Sequence, residues 1–271
     1  MAQPTDVPSR DFEALYFGED HRRLFGIYHA PGAAVRRATS LVLCGPFGQE
    51  SIRSHRSLRQ LAVSTSRLGF PVFRFDYYGC GDSMGRRDEG SMRQWLNDVS
   101  ASVAEIRGRA QSPRVCLVGL RLGAWLAMLA AIRHGDVAGL VMWDPIHDGK
   151  AYLKELALAR AQQRGAPGAP QSGAGELTEV LGFPVPAGLS AEFGDISLAR
   201  VQRCPAPHVL VIDSGRPGGS EPVVQTLTGL GARVDARHVP GARTWAHDPA
   251  APMANPALLR SIANWANESL P

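Results

Sequence analysis

Short apolar runs rich in β-branched residues alternate with stretches of helical spacing along most of the chain. Glu13–Phe17 and Arg23–His29 read as an opening antiparallel pair. Ser40–Cys44, Pro71–Phe75, Arg114–Gly119, Ala138–Trp143, Pro207–Asp213 and Arg233–Val239 follow as further strands. Several are apolar throughout, the pattern of strands buried on both faces. Between them, Leu58, Leu61, Ala62 and Leu68 share one face of a helix predicted over Ser54–Leu68. Trp95, Val99, Val103 and Ile106 make the apolar stripe of a helix predicted over Ser91–Arg107. Arg121–Arg133 follows a strand directly, and its Gly123, Ala124, Ala127 and Ala130 allow close packing. Asn255–Asn267 closes the pattern, with Asn255 as N-cap and Leu258, Leu259, Ile262 and Trp265 facing inward. This alternation predicts an α/β fold, with a mostly parallel central sheet flanked by helices on both faces.

One segment breaks the rhythm. Ala151–Gln163 has helical spacing, but Arg164–Gly175 is a run of Gly, Ala, Pro and Ser that cannot build a core. Glu176–Arg200 adds weak helix before the strands resume. Residues 150–204 therefore read as a lid or cap inserted after the sixth strand of a single domain spanning 1–271.

Composition narrows the function classes. The chain has 271 residues, 44% of them hydrophobic, which excludes wholesale disorder. No apolar run reaches the roughly 18 residues of a membrane span; the longest, Leu117–Ile132, is interrupted by Arg121. Met1–Arg10 is polar and lacks the apolar core of a secretion signal, so a cytoplasmic protein is expected. The net charge is +4, and Lys150 and Lys154 are the only lysines; the Arg, Ala and Gly bias is that of a GC-rich bacterial genome. The arginines are scattered rather than gathered in a basic stripe, which argues against nucleic-acid binding. The four cysteines show no CxxC spacing, and free thiols are expected, with Cys44 and Cys116 in the core. No dinucleotide fingerprint, phosphate loop or metal-ligand spacing is present, so no cofactor and no metal are expected.

Gly119-Leu120-Arg121-Leu122-Gly123 lies where a buried strand turns into a helix. That is the setting of the Gly-x-Ser-x-Gly nucleophile elbow, whose glycines let strand and helix approach. Here the central residue is arginine, which stays protonated at any working pH and is no nucleophile. A helix N-terminus beside a guanidinium suits a carboxylate, a phosphate or a developing oxyanion. The alternative is an internal salt bridge that closes the site, and the sequence leaves both open.

The order of motifs resembles the α/β-hydrolase superfamily. Cys44-Gly45-Pro46-Phe47-Gly48-Gln49-Glu50 stands where the oxyanion loop follows the third strand, and Asp76-Tyr77-Tyr78-Gly79-Cys80-Gly81-Asp82-Ser83 resembles the loop after the fourth. With the Gly-Leu-Arg-x-Gly elbow, these motifs are similar to the serine-aminopeptidase-like hydrolases associated with exosortase-A gene clusters. The likeness is close over residues 12–160 and looser over 205–270. It implies the α/β-hydrolase fold and acyl chemistry in a biosynthetic pathway of a natural product or polysaccharide, on an ester or thioester that a carrier protein could present.

The remaining roles follow from that frame. Asp144, after the strand that follows the elbow helix, is the first choice of acid, with Asp213 and Glu221 as alternatives. His247, after the last strand, is the candidate histidine, while His238 lies in a strand and reads as structural. His55 and His147 are placed at the mouth of the site. Glu50 either pairs with Arg121 or serves as general base on water. Phe47, Gly48, Gln49, Leu122 and Cys80 are assigned to substrate binding. A thiolate at Cys80 would be reactive if nearby arginines lowered its pKa, but a structural loop is the preferred reading. The leading expectation is hydrolysis of an acyl ester or thioester with Arg121 as anion or oxyanion site. The alternatives are a silent pseudo-hydrolase binding an acyl ligand or partner enzyme, and a lyase or cyclase using the same acid–base groups. A homodimer through the lid or a sheet edge is left open.

Overall fold

The computed structural model describes residues 12–32, 36–164, 178–241, 243–246 and 254–271. The pair β1 (Phe12–Phe17) and β2 (Leu24–His29) is antiparallel, and β2 runs antiparallel to β4 (Val72–Phe75). From there β3 (Thr39–Cys44), β5 (Arg114–Leu120), β6 (Gly139–Trp143), β9 (His208–Asp213) and β10 (Arg233–His238) continue in parallel. The sheet has eight strands in the order β1-β2-β4-β3-β5-β6-β9-β10.

Alternation along the strands divides the interior in two. Leu41, Leu43, Val118, Leu120, Trp143 and Ile212 face one side, together with Leu58 and Leu61 of α1 (Gln49–Arg67) and Leu258 and Ile262 of α7 (Pro256–Ser269). Val42, Phe73, Leu117 and Met142 face the other, against α2 (Met92–Ala110) and α3 (Leu122–His134). The stripe Trp95, Val99, Val103 and Ile106 is buried as its spacing predicts, and Asn255 Oδ1 accepts from Leu258 N at 3.2 Å as an N-cap. Cys44 and Cys116 are buried free thiols.

Three boundaries depart from the sequence reading. The first helix starts at Gln49, five residues early, because Gly48 turns the chain at φ 63° where a side chain would be strained. Leu68 falls beyond its last turn and is exposed instead of joining the inner face. A short helix, α6 (Glu221–Gly229), was not foreseen: only Val223 and Leu227 are buried on it, too few to give a stripe.

The region expected to form a lid lies between β6 and β9. It contains α4 (Gly149–Arg164), a two-stranded hairpin of β7 (Glu179–Val180) and β8 (Phe183–Pro184), and α5 (Ala187–Gly194). The hairpin stands where weak helix was read. Leu181 and Gly182 at its turn have φ 51° and 85°, a conformation that helical spacing does not announce. All but the first residue of the Arg164–Gly175 run falls outside the described residues. Phe183 and Phe193 reach back onto Phe47, with ring centroids 6.3 and 5.4 Å away. Among the described residues no helix is long and apolar enough to cross a membrane.

At Gly123 a Cβ would stand 2.2 Å from the carbonyl oxygen of Cys44 and 2.4 Å from that of Gly45. Backbone cannot step aside as a side chain can, so Gly123→Ala should lose about 3 kcal/mol of stability. Gly108 in α2 meets nothing within 4 Å. Gly108→Ala should gain about 0.5–1 kcal/mol through helix propensity. Urea unfolding midpoints of the two variants against the parent check both.

Candidate active site

Strand β5 passes into α3 through Arg121, a non-glycine residue at φ 55°, ψ −120°. Such a conformation persists only when its surroundings enforce it. Arg121 N–H donates to the Trp143 carbonyl at 2.9 Å, and the Arg121 carbonyl accepts from Ala124 N at 3.0 Å. A Cβ on Gly119 would lie 2.3 Å from the Cα of Ala124, so both elbow glycines are required by contact. The turn has the shape of a nucleophile elbow and an arginine at its apex.

The guanidinium stays inside the protein, with Arg121 only 7% exposed. Its Nε donates to Glu50 Oε1 at 3.1 Å, and its Nη2 to Glu155 Oε2 at 2.5 Å. Its carbon lies 3.9 Å from the centroid of the Trp245 ring and 5.7 Å from that of Tyr152. Burial works against the charge, but the two carboxylates outweigh it and hold Arg121 protonated above its ordinary range. Of the two readings open from sequence, the geometry shows the internal salt bridge, to Glu50 and Glu155.

Glu50 is the more unusual member of this cluster. Burial pushes its carboxyl up to about 7, against the pull of Arg121. One oxygen is held by Arg121, while the buried Oε2 has no hydrogen-bond partner among the described residues. The hydroxyl of Tyr152, beside it on α4, is likewise buried without a partner.

Asp144 is buried at the end of β6, with φ 43°, but it faces elsewhere. Its Oδ1 accepts from Ser214 N at 2.7 Å, and its Oδ2 accepts from Ser214 Oγ at 2.5 Å and Trp245 Nε1 at 2.7 Å. Among the described residues no ion pair joins it to Arg121. It is linked to the elbow through Trp245, whose ring accepts the guanidinium, and its charge also acts on Glu50. Asp213 accepts from the backbone and hydroxyl of Ser220, ahead of α6, and Glu221 accepts from Gln225 on an exposed face of that helix. His238 contacts the Gly215 carbonyl at 2.9 Å, and His147 lies 3.4 Å from the Pro145 carbonyl. His247 lies outside the described residues.

A cavity of about 610 Å³ opens next to the elbow. Phe47, Gly48, Leu122, Trp95, Tyr77 and Phe183 are among its lining residues, and Cys80 and His55 are also in the wall. Neither Arg121, Glu50, Asp144 nor Gln49 is in the wall, although Gly48 and Ser51 on either side of Gln49 and Glu50 are. Burial pushes the Cys80 thiol up to about 12, and the nearby Arg87 does not offset it, which speaks against the reactive thiolate that the sequence reading set second. Glu155, Tyr152 and Trp245 belong to the cluster and were not singled out from sequence. They come from two distant segments, and no local motif marks them. Among the described residues, no group of three or more His, Cys, Asp or Glu side chains stands close enough to hold a metal ion.

Glu50 also makes stability depend on pH. Its carboxyl is raised from an ordinary 4.5 to about 7, so the native state holds a proton that the unfolded chain releases. Stability is therefore greatest below 4.5 on this account and falls as pH rises toward 7. Urea midpoints at about pH 5 and about pH 8 should drop for the parent and stay closer to level for Glu50→Gln.

Comparison with known proteins agrees with this architecture. A family model described as serine aminopeptidase, S33, matches residues 37–177, just over half of the chain. Over 65 residues the chain is 40% identical to palmitoyl-protein thioesterase ABHD10, mitochondrial, of Homo sapiens, a stretch covering 24% of this chain and 20% of that protein. The chain thus spans about a fifth of the length of the relatives it matches. Ferulic acid-bound Est1E from Butyrivibrio proteoclasticus is similar in structure, with TM-score 0.66, 15% identity, and 94% and 99% of the two chains covered. A monoglyceride lipase from Saccharomyces cerevisiae, solved with a substrate analogue, has TM-score 0.65 at 15% identity, covering 99% and 98%. At such identity these structures speak to the fold alone. The sheet order, the elbow and the family match agree, and the chain belongs to the serine aminopeptidase S33 family, built on the α/β-hydrolase fold.

Proposed function

We propose that this protein hydrolyses an acyl ester or thioester seated in the aromatic cavity, with Glu50 as general base on water. The observation that carries the reading is the state of Glu50: a buried carboxyl raised to about 7, one oxygen held by Arg121 and the other unpartnered. A base of that strength is matched to neutral pH. In this reading Arg121 is a positioning residue rather than the anion site. The carboxylate of Glu50 removes a proton from water, and the hydroxide adds to the acyl carbon. The tetrahedral intermediate expels the alcohol or thiol, which takes its proton back from Glu50.

Charge on the carbonyl oxygen needs donors. The N–H groups of Leu122 and Gly123 at the start of α3 have no intrahelical acceptor, and Leu122 lines the cavity. An oxygen placed there meets them and the positive end of the helix as charge develops. Phe47, Trp95 and Tyr77 offer the acyl or aryl group an apolar wall. In this reading residues 178–204 serve as a lid, with Phe183 and Phe193 packed on Phe47 as its support.

A second reading rests on a specific contact. The apex of the elbow is sealed by two carboxylates and does not face the cavity. That suits a protein that binds an acyl ligand without turning it over.

Thiol release from acyl-coenzyme A thioesters of several chain lengths separates the two. The hydrolase reading expects release by the parent that rises with pH through about 7, and at least a 100-fold lower rate in Glu50→Gln. An inert parent overturns it. Activity gained in Arg121→Ser under those conditions would establish the silent hydrolase.

A further inference from the structure

Two arginines line the cavity, Arg74 and Arg87, and the elbow uses neither; Arg87 lies 5.6 Å from the centroid of the Phe183 ring. Arg74 sits in the middle of β4 on the face that looks toward α1. Its register partners are Ile27 on β2 and Leu43 on β3, so it interrupts an otherwise apolar row across three strands. Above that row, α1 contributes Ile52, His55 and Leu58 to the same cavity. The aromatic part of the cavity, with Phe47, Trp95 and Leu122, belongs to the opposite face of the sheet. The two parts join at the carboxyl ends of β3 and β4, around Gly45, Pro46 and Tyr77.

The guanidinium there is charged and not ion-paired. Its Nε donates to His29 Nε2 at 3.2 Å, and burial holds His29 neutral by lowering it to about 4. Among the described residues no carboxylate lies within salt-bridge distance of Arg74. Asp76, two residues on, acts on Arg74 through its charge and lines the same cavity together with Asp82, but it forms no ion pair with the guanidinium, and its Oδ2 accepts from Asp82 N at 3.0 Å. Arg59 on the exposed side of α1 adds a second positive charge felt by both Arg74 and His29. A half-buried cation in an apolar row is better matched by an anion than by an apolar group.

We propose that the cavity takes an amphiphilic ligand with a carboxylate at one end, which Arg74 pairs, and an apolar chain or ring that runs toward Leu122 and Trp95. Arg74 thereby selects acidic amphiphiles over neutral ones. An acyl substrate bound this way carries its reacting carbonyl at the elbow end and its acidic group at the α1 end. The inference shares with the hydrolase reading the assignment of the cavity to acyl ligands, but it concerns binding and does not need turnover.

The test uses dodecanoate, dodecanol and dodecylammonium as probes, read by quenching of tryptophan fluorescence, since Trp95 lines the cavity. The full chain should bind dodecanoate at least about 10-fold more tightly than dodecanol, and dodecylammonium least. Arg74→Gln should remove the difference and leave dodecanol affinity unchanged, which also reports that the variant is folded. Arg74→Lys should retain most of the preference. Equal binding of the acid and the alcohol by the parent, or a preference that survives Arg74→Gln, overturns the proposal. If neither probe binds, the assignment of the cavity to acyl ligands falls with it. Thiol release without any preference for the acid overturns this inference alone.

Discussion

A buried guanidinium organises this molecule. Arg121 cannot shed its charge, so wherever the elbow places it the surroundings must supply carboxylates. They come from Glu50 on α1 and Glu155 on α4, and Trp245 lies flat against the remaining face. The elbow, the first turn of α1, the helix after β6 and the loop after β10 are thus tied at one point. In a low-dielectric interior each of these contacts is strong, and the loss of any partner leaves a charge unmatched.

The consequences run outward from that point. Because Arg121 holds Glu50, one carboxylate oxygen is fixed and the other is left buried without a partner among the described residues. Because Asp144 is engaged by Ser214 and Trp245, it supports the ring on which Arg121 rests and is withdrawn from the cavity. The helix α4 does two things at once. It carries Glu155 to the guanidinium, and its Tyr152 packs on Phe193, which in turn meets Phe47 of the loop after β3. Charge on one side and aromatic packing on the other therefore hold the same segment against the core.

Much of this was legible in the residues. The apolar strand runs gave the parallel sheet, because a strand covered on both faces has no polar side to show. The glycines at 119 and 123 marked the elbow, since no side chain fits where strand and helix meet. Glu50 was already weighed as a partner of Arg121. The hairpin at Glu179–Pro184 and the helix at Glu221–Gly229 were not read, because each buries too few residues to impose a period.

Sequence by itself determined the sheet, its two helical layers and the absence of a serine at the elbow, all of which depend on local spacing and residue chemistry. Tertiary structure decided which groups Arg121 pairs with. Its partners lie 71 and 34 residues away, and nothing in local pattern distinguishes a guanidinium facing a cavity from one closed by carboxylates. It also decided the state of Cys80, where burial overrides the neighbouring positive charge. The placement of Arg74 in an apolar row is of the same kind, since strand register, not composition, sets which side chains share a face. Charges act through space and desolvation, so their meaning is settled only when the chain has folded around them.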